Sequence, residues 1–327
     1  MRILLVVNAA ASSVTARRRR AVEAVLSERH EVEVAATMRR GHALLQARAA
    51  SRRGVECVAV LGGDGTLNEV VTALAGSRCA VAPLPGGSTN VFARTIGLPH
   101  NPVDSAQSTS DSLVAGSIRS IGVGRLETQR TGQHARTAEA PRNFVMHTGI
   151  GWDAALVDNV ERHGWLKRYA GHALFVWAGL RTQFGGFDRT RSHFSVRFDD
   201  GEVVDDGYFT IVLNSDPYTF VGPRPFTVSR AATLDRSFVV LTLRSLDTRV
   251  LLGAVTAALR AGEDLTATPD LHIRTDVDGL TVIRHSNDEP VEMAYQVDGD
   301  YLGPADRLRF DHVPDAVRLV VPEAAAT

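Results

Sequence analysis

The apolar positions of the chain change period from one segment to the next. Ile3–Val7 is an unbroken apolar run ending at Asn8, the pattern of a strand buried on both faces. Val14–Ser27 then carries Val14, Val22, Val25 and Leu26 at helical spacing, and Glu31–Ala35 alternates as a short strand. His42–Arg53 is helical, with Gly54 to close it. Val55–Leu61 predicts a second buried strand, Leu67–Leu74 a helix, Ala80–Leu84 a third buried strand and Asp104–Ala115 a further helix. Strands that alternate with helices in this way predict a parallel sheet covered on both faces. Ligands of such sheets bind at the carboxyl ends of the strands.

The pattern changes near Ile121. Ile121–Leu126 reads as a strand, and polar Glu127–Arg142 reads as a surface loop. Strand-like runs follow at Asn143–His147, Phe194–Phe198, Tyr208–Leu213, Phe238–Leu243, Leu271–Arg274, Thr281–Arg284, Val291–Val297 and Arg307–Phe310. Helical patterns interrupt them at Ala154–Gln183, in pieces, and at Arg249–Arg260. Frequent strands with short turns predict a β-rich second domain. A last apolar run, Ala316–Val320, is placed to return to the first domain. The expected architecture is therefore an α/β domain over residues 1–120, rejoined by 312–327, and a β-rich domain over 121–311.

Composition narrows the functional classes. With 44% hydrophobic and 22% charged residues, the 327-residue chain can build packed cores. A net charge of −1 argues against a nucleic-acid partner. Cys57 and Cys79 both sit in apolar runs, which excludes a disulfide scaffold and suits a reducing, cytoplasmic setting. No 18-residue apolar window exists, so no spanning helix is expected and membrane contact would be peripheral. The 11 histidines show no zinc-site spacing. Lys167 is the single lysine among 36 basic residues. The Arg17–Arg20 run reads as a solvated helix face that could also meet phosphates or anionic lipid heads.

Candidate chemistry concentrates in two glycine-rich segments, each directly after a predicted strand. In Gly62-Gly63-Asp64-Gly65-Thr66 three glycines let the backbone approach a phosphate, and the amides of the loop and following helix point at the anion. Asp64 in their midst suits a Mg²⁺ ion, a hydroxyl or a water. Thr66 can cap the following helix, with Glu69 three residues on completing a capping box. Pro85-Gly86-Gly87-Ser88-Thr89-Asn90 is a second strand–glycine–helix segment, in which Ser88, Thr89 and Asn90 can hydrogen-bond phosphate or ribose. Neither segment is a Walker A loop or a dinucleotide fingerprint. Asp298-Gly299 is a common hairpin-turn pair, and a tight turn can also present a carboxylate. Asp153 suits a helix cap or a substrate-side role. Trp152, Trp165, Phe175, Val176 and Trp177 suit core packing or an acyl-chain wall.

Gly62–Thr66 with Asn68-Glu69 resembles the signature of the diacylglycerol kinase catalytic domain, shared by bacterial soluble lipid kinases and by sphingosine and ceramide kinases. A related G-G-D-G loop occurs in NAD kinases and phosphofructokinases. Pro85–Arg94, Gly149-Ile150-Gly151-Trp152-Asp153-Ala154, Lys167-Arg168-Tyr169-Ala170-Gly171 and Val297–Asp300 resemble later lipid-kinase motifs, in order along the chain. Departures are Asn8-Ala9 where the family opens with N-P, Ser88 for Thr, Val91 for Asp, Asp300 for Glu, and Asp235-Arg236-Ser237 where the family often has D-G.

The resemblance implies an α/β ATP-binding domain followed by a β-sandwich lipid-substrate domain over 121–311, and ATP-dependent phosphorylation of a membrane lipid hydroxyl, such as that of diacylglycerol, with Mg²⁺. It also implies transient association with the inner membrane face and leaves a homodimer open. On that reading Gly62, Gly63, Asp64, Gly65, Thr66 and Glu69 hold ATP, supported by Asn8, Arg17, Gly87, Ser88, Thr89 and Asn90. Asp64 and Asp300 serve the metal, Asp298 is the general base, and Lys167 is a further catalytic group. Two alternatives stay open: an NAD or polyol kinase of the same superfamily, and a degenerate lipid or nucleotide sensor without turnover.

Overall fold

The computed structural model describes residues 1–130, 140–151, 191–247, 250, 253, 270–285 and 293–322. The chain forms two compact units, Met1–Val123 with Val313–Thr327, and Gly124–His312.

In the first unit β1 (Arg2–Val7), β2 (Glu31–Ala36), β3 (Cys57–Gly62) and β4 (Ala80–Pro85) form a parallel sheet in the order β2-β1-β3-β4. Every residue of β3 and β4 is buried, as their unbroken apolar runs require. Helices α1 (Ala16–Ser27), α2 (His42–Arg52), α3 (Asp64–Leu74), α4 (Val91–Thr95) and α5 (Pro102–Ala115) connect the strands and lead out of β4. Thr15 caps α1 by accepting from the Arg18 amide at 3.2 Å, and all of Arg17–Arg20 are exposed. Asn101 caps α5 with Pro102 in its first turn, and Gly116 closes that helix in the left-handed region. The core joins Ile3, Leu5 and Val7 of β1 to Val22 and Leu26 of α1 and to Ala106 and Leu113 of α5. Burying each larger aliphatic side chain there contributes about 1.5–3 kcal/mol.

β5 (Ile118–Gln129) runs from the first unit into the second. Glu127–Gln129, expected in a surface loop, continue this strand; the Asp306 amide donates to the Gln129 carbonyl at 3.0 Å. The second unit holds two antiparallel layers. One orders β14 (Leu271–Val277), β13 (Phe238–Leu243), β10 (Phe209–Leu213), β7 (His147–Gly151), β16 (Met293–Val297) and β17 (Asp300–Ala305). In the other, β15 (Gly279–Arg284) lies between β18 (Arg307–Val320) and β8 (Phe194–Phe198), with β9 (Val203–Gly207) at the edge. β5 also pairs with β6 (Arg142–Phe144), and β11 (Thr219–Val221) and β12 (Arg224–Phe226) form a separate hairpin.

One core lies between the layers, with Phe144, Phe194 and Phe310 meeting Phe238, Tyr295 and Ile150. Phe144 stacks on Phe238 at 5.7 Å between ring centroids. Gly124 makes room for it, because a Cβ there would sit 2.1 Å from Phe144 Cζ.

The two runs expected at Arg307–Phe310 and Ala316–Val320 are one strand. Arg307–Asp311 of β18 pair antiparallel with β15 in the second unit, and Arg318–Leu319 pair parallel with β4 in the first. β9, β11, β12 and β17 were not expected; they are short or carry acids, glycine and proline. The expected helices at Ala154–Gln183 and Arg249–Arg260, apart from residues 250 and 253, lie outside the described residues.

Candidate active site

Three loops meet at the carboxyl edge of the parallel sheet. The strand order β2-β1-β3-β4 reverses direction between β1 and β3, and such a switch point opens a crevice for ligands. Asn8, just after β1, donates from Nδ2 to Thr66 Oγ1 at 2.9 Å across this point. Ser13 ties the same loop to the second glycine segment: its hydroxyl donates to the Gly86 carbonyl at 2.8 Å and its amide reaches the same oxygen at 3.0 Å.

The glycines serve first to pack these loops together. The Gly86 amide donates to the Gly62 carbonyl at 2.9 Å. A Cβ on Gly86 would lie 2.8 Å from both the Gly62 nitrogen and Val14 Cγ2, and one on Gly87 would lie 2.8 Å from Gly63 Cα. Backbone cannot yield as a side-chain tip can. Gly86→Ala is therefore expected to cost about 1–3 kcal/mol of stability and to weaken nucleotide binding, measured by urea unfolding and ATP titration. Unchanged values for both would show that the loops tolerate separation.

The amides of Gly63 and Gly65 find no acceptor among the described residues. These groups sit at the start of α3, where helix amides present partial positive charge.

Several site residues hold the loops in place. Asp64 accepts from the amides of Val91 at 3.0 Å and Phe92 at 3.1 Å, so its carboxylate caps α4 and bridges the two glycine segments. Burial pushes the Asp64 carboxyl up, and the Phe92 and Val91 amides partly offset this. Asn90 adopts the left-handed region at φ 49°, which asparagine tolerates, and its side chain is spent on Gly87. Its Oδ1 accepts from the Gly87 amide at 2.7 Å and its Nδ2 donates to the Gly87 carbonyl at 2.9 Å. Asn90 therefore braces the loop through both ends of its carboxamide. Ser88 is exposed, and Thr89 is partly buried.

Glu69 requires a correction too. α3 begins at Asp64, so Thr66 lies inside the helix and no Thr66–Glu69 capping box forms. Glu69 instead accepts from the amides of Gly41 at 2.7 Å and Ala43 at 3.0 Å, capping α2. A capping box is a local pattern, whereas this cap joins residues 28 positions apart. Glu69→Ala should cost about 1 kcal/mol in urea unfolding, with ATP affinity unchanged. A lost ATP affinity at full stability would restore Glu69 to the nucleotide site.

In the second unit Asp298 and Gly299 form the two-residue turn between β16 and β17. Both have positive φ, 48° and 86°, as such hairpins require. Asp298 is buried, at 7% exposure. Its Oδ1 accepts from the amides of Met146 and His147, both at 3.0 Å, and its Oδ2 from Val145 at 3.2 Å. The Asp298 amide returns a bond to the His147 carbonyl at 2.9 Å. The turn and the presented carboxylate are both realised, and the carboxylate is gripped by three amides. Asp300 is partly buried at the start of β17.

His147 was not singled out by sequence. Its ring lies 4.1 Å from that of Tyr218, and burial pushes its imidazole down to about 3. Asn214 and Ser215 were also missed, because an Asn-Ser pair after a strand reads as an ordinary turn. Arg236, in the departing Asp235-Arg236-Ser237 segment, pairs with Asp276 at 2.5 Å. Among the described residues no three His, Cys, Asp or Glu side chains gather as a metal cage. Asp64, with an amide on each carboxylate oxygen, is a cap before it is a metal ligand. Lys167, Trp152, Asp153, Trp165, Phe175, Val176 and Trp177 lie outside the described residues.

An α/β unit with paired glycine loops, joined in one chain to a β-rich unit, is the arrangement to set beside known proteins. Residues 2–126 match the family model of the diacylglycerol kinase catalytic domain. A Cronobacter sakazakii protein named probable lipid kinase YegS-like is 29% identical over 186 residues, covering 51% of this chain and 62% of the relative. A Klebsiella pneumoniae protein of the same name is 30% identical over 184 residues, with the same coverage. The matched region thus spans about three-fifths of those relatives. The fold as a whole is shared with a diacylglycerol kinase from Bacillus anthracis, at a TM-score of 0.67, 17% identity and coverage of 99% of this chain and 98% of that one. Another solved chain from the same organism gives a TM-score of 0.74 at 18% identity.

Proposed function

We propose that the protein is an ATP-dependent lipid kinase that transfers the γ-phosphate of ATP to the hydroxyl of a membrane lipid such as diacylglycerol. The observation that carries this reading is the convergence of the Asn8–Ser13, Gly62–Thr66 and Gly86–Asn90 loops at the switch point of the sheet, with the Gly63 and Gly65 amides finding no acceptor among the described residues. Phosphoryl transfer asks the protein chiefly for positioning and charge stabilisation. The amides of the first glycine loop supply both for the nucleotide phosphates, and Thr66 and Asn8 hold that loop against β1. Asn90, Asp64 and Glu69 act behind it as braces. Ser88, Thr89 and Arg17 are the side chains proposed to reach the nucleotide.

The proposed general base is Asp298, whose carboxylate is held by three backbone amides. Asp298 takes the proton of the lipid hydroxyl while its oxygen forms the new bond to the γ-phosphorus. The bond from that phosphorus to the β–γ bridging oxygen breaks, and ADP leaves with that electron pair. Mg²⁺ carried on the nucleotide would neutralise the phosphate charge, and it needs only one or two carboxylates beside those phosphates. Asp300 is the described carboxylate proposed to serve it. Among the described residues no helix is long and apolar enough to cross a membrane, and the proposed encounter with the lipid is transient, at the inner membrane face.

The test is transfer of labelled γ-phosphate to a panel of lipids in mixed micelles, with NAD and soluble polyols alongside. Label on a lipid acceptor supports the reading. Label on NAD or a polyol alone, or ATP binding without transfer to anything, overturns it.

A further inference from the structure

The grip on Asp298 has a second layer on the opposite side of the same peptides. A trans peptide is planar, so its carbonyl and the next residue's amide point in opposite directions and turn together. In the Val145–Met146 peptide the Met146 amide donates to Asp298 Oδ1 at 3.0 Å. The Val145 carbonyl at its other end accepts from Ser215 Oγ at 3.0 Å and Asn214 Nδ2 at 3.2 Å. In the Met146–His147 peptide the His147 amide donates to the same Oδ1 at 3.0 Å. Its carbonyl accepts from the backbone amides of Asn214 at 2.8 Å and Ser215 at 3.1 Å. Two successive peptide planes are thus held at their carbonyl edges by Asn214-Ser215 and turn their amide edges onto one carboxylate oxygen.

The groups are all buried: Asn214 at 1%, Ser215 at 2% and Asp298 at 7% exposure. Hydrogen bonds in such surroundings polarise one another, so donors on the carbonyl strengthen the amide behind it. Asn214-Ser215 directly follow β10, which pairs with β7 in register Leu213↔His147. Strand pairing therefore delivers the Asn-Ser pair to this position.

We propose that Asn214 and Ser215 are positioning residues that set the orientation of the Asp298 carboxylate by clamping the Val145–His147 backbone. The catalytic consequence rests on the lipid-kinase reading; the mechanical clamp does not. Losing the Ser215 hydroxyl frees one of two side-chain anchors on the Val145 carbonyl, while the backbone anchors on the Met146 carbonyl remain. The Met146 amide should loosen before the strands do.

The experiment compares wild type, Ser215→Ala, Ser215→Thr and Asn214→Ala in two measurements on the full chain. The first is amide hydrogen exchange by NMR. Ser215→Ala and Asn214→Ala are expected to speed exchange of the Met146 amide at least about tenfold while β10 and β13 amides keep their protection, and Ser215→Thr is expected to restore it. The second is phosphate transfer, where kcat should fall about tenfold or more in both alanine variants at unchanged KM for ATP, with Ser215→Thr near wild type. Exchange that rises evenly over β7 and β10, or an unaltered Met146 amide, overturns the clamp. A loosened Met146 amide with unaltered kcat overturns the positioning role. If the wild type phosphorylates no lipid, the function reading fails while the exchange result still decides the clamp.

Discussion

Replacing Asp298 by alanine is expected to lower the unfolding free energy by about 3 kcal/mol or more, because three buried amides lose their acceptor together and each orphaned donor costs about 1–3 kcal/mol. The amides are those of Val145, Met146 and His147, which meet this one carboxylate at 3.0–3.2 Å. The turn also needs a residue that tolerates φ 48°, a conformation alanine adopts less readily than aspartate. Alanine therefore confounds fold and chemistry. Asp298→Asn separates them: the amide keeps the shape, the turn and one acceptor oxygen, but it cannot take a proton. It should retain most of the stability while turnover of lipid falls by about 10²–10⁴-fold. Urea unfolding and phosphate transfer measured on both variants decide the matter. Alanine at wild-type stability would show the three bonds to be worth little, and asparagine at wild-type turnover would remove Asp298 as the base.

The second large effect is expected at Asp64. Asp64→Ala leaves the Val91 and Phe92 amides without their acceptor and cuts the link between the two glycine segments. A lost helix cap costs about 0.5–2 kcal/mol. The loosened loops should also raise KM for ATP at least about tenfold, since small misplacements of positioning groups are costly. If Asp64 instead acted through Mg²⁺, the variant would shift the Mg²⁺ concentration needed for half-maximal turnover. The cap role predicts an unchanged Mg²⁺ midpoint with a raised KM for ATP.

Protonation of Asp64 adds a pH dependence. Burial raises its carboxyl above the ordinary value, so the folded chain binds this proton more tightly than the unfolded chain does. The stability gained is present at low pH and is lost as pH rises through the folded value. Comparison with Asp64→Asn, which does not titrate, should show the wild type losing ground as pH rises above the ordinary carboxylate range. A stability difference that is flat over this range would show that burial does not govern the group.

These two carboxylates show how sequence and structure divide the site. Both stand out in the chain as acids inside short glycine-containing motifs. Nothing local reveals that Asp64 serves amides 27 and 28 residues away, or that Asp298 serves amides more than 150 residues before it. Glu69 misled for the same reason. Its spacing from Thr66 fits a local box, but α3 starts at Asp64, three residues before the Leu67 that its apolar period suggests, and the carboxylate goes to α2. Helix starts are set by which amides find acceptors, and apolar spacing does not record that.

The sequence by itself determined the elements with strong apolar periods. β1, β3 and β4 fall where unbroken apolar runs demand, β8 falls where apolar and polar residues alternate, and α5 falls where an asparagine, a proline and a glycine bracket a helical stretch. It also marked the two glycine loops and the Asp298 turn, because these need residue types that few other positions require. Only the tertiary structure decided the rest. It joined Arg307–Phe310 and Ala316–Val320 into one strand, pressed Gly86 onto Gly62, and turned Val145–His147 toward Asp298 with Asn214 and Ser215 behind them. Those arrangements depend on pairing between residues distant in the chain, and the energy of such pairing leaves no period in the sequence.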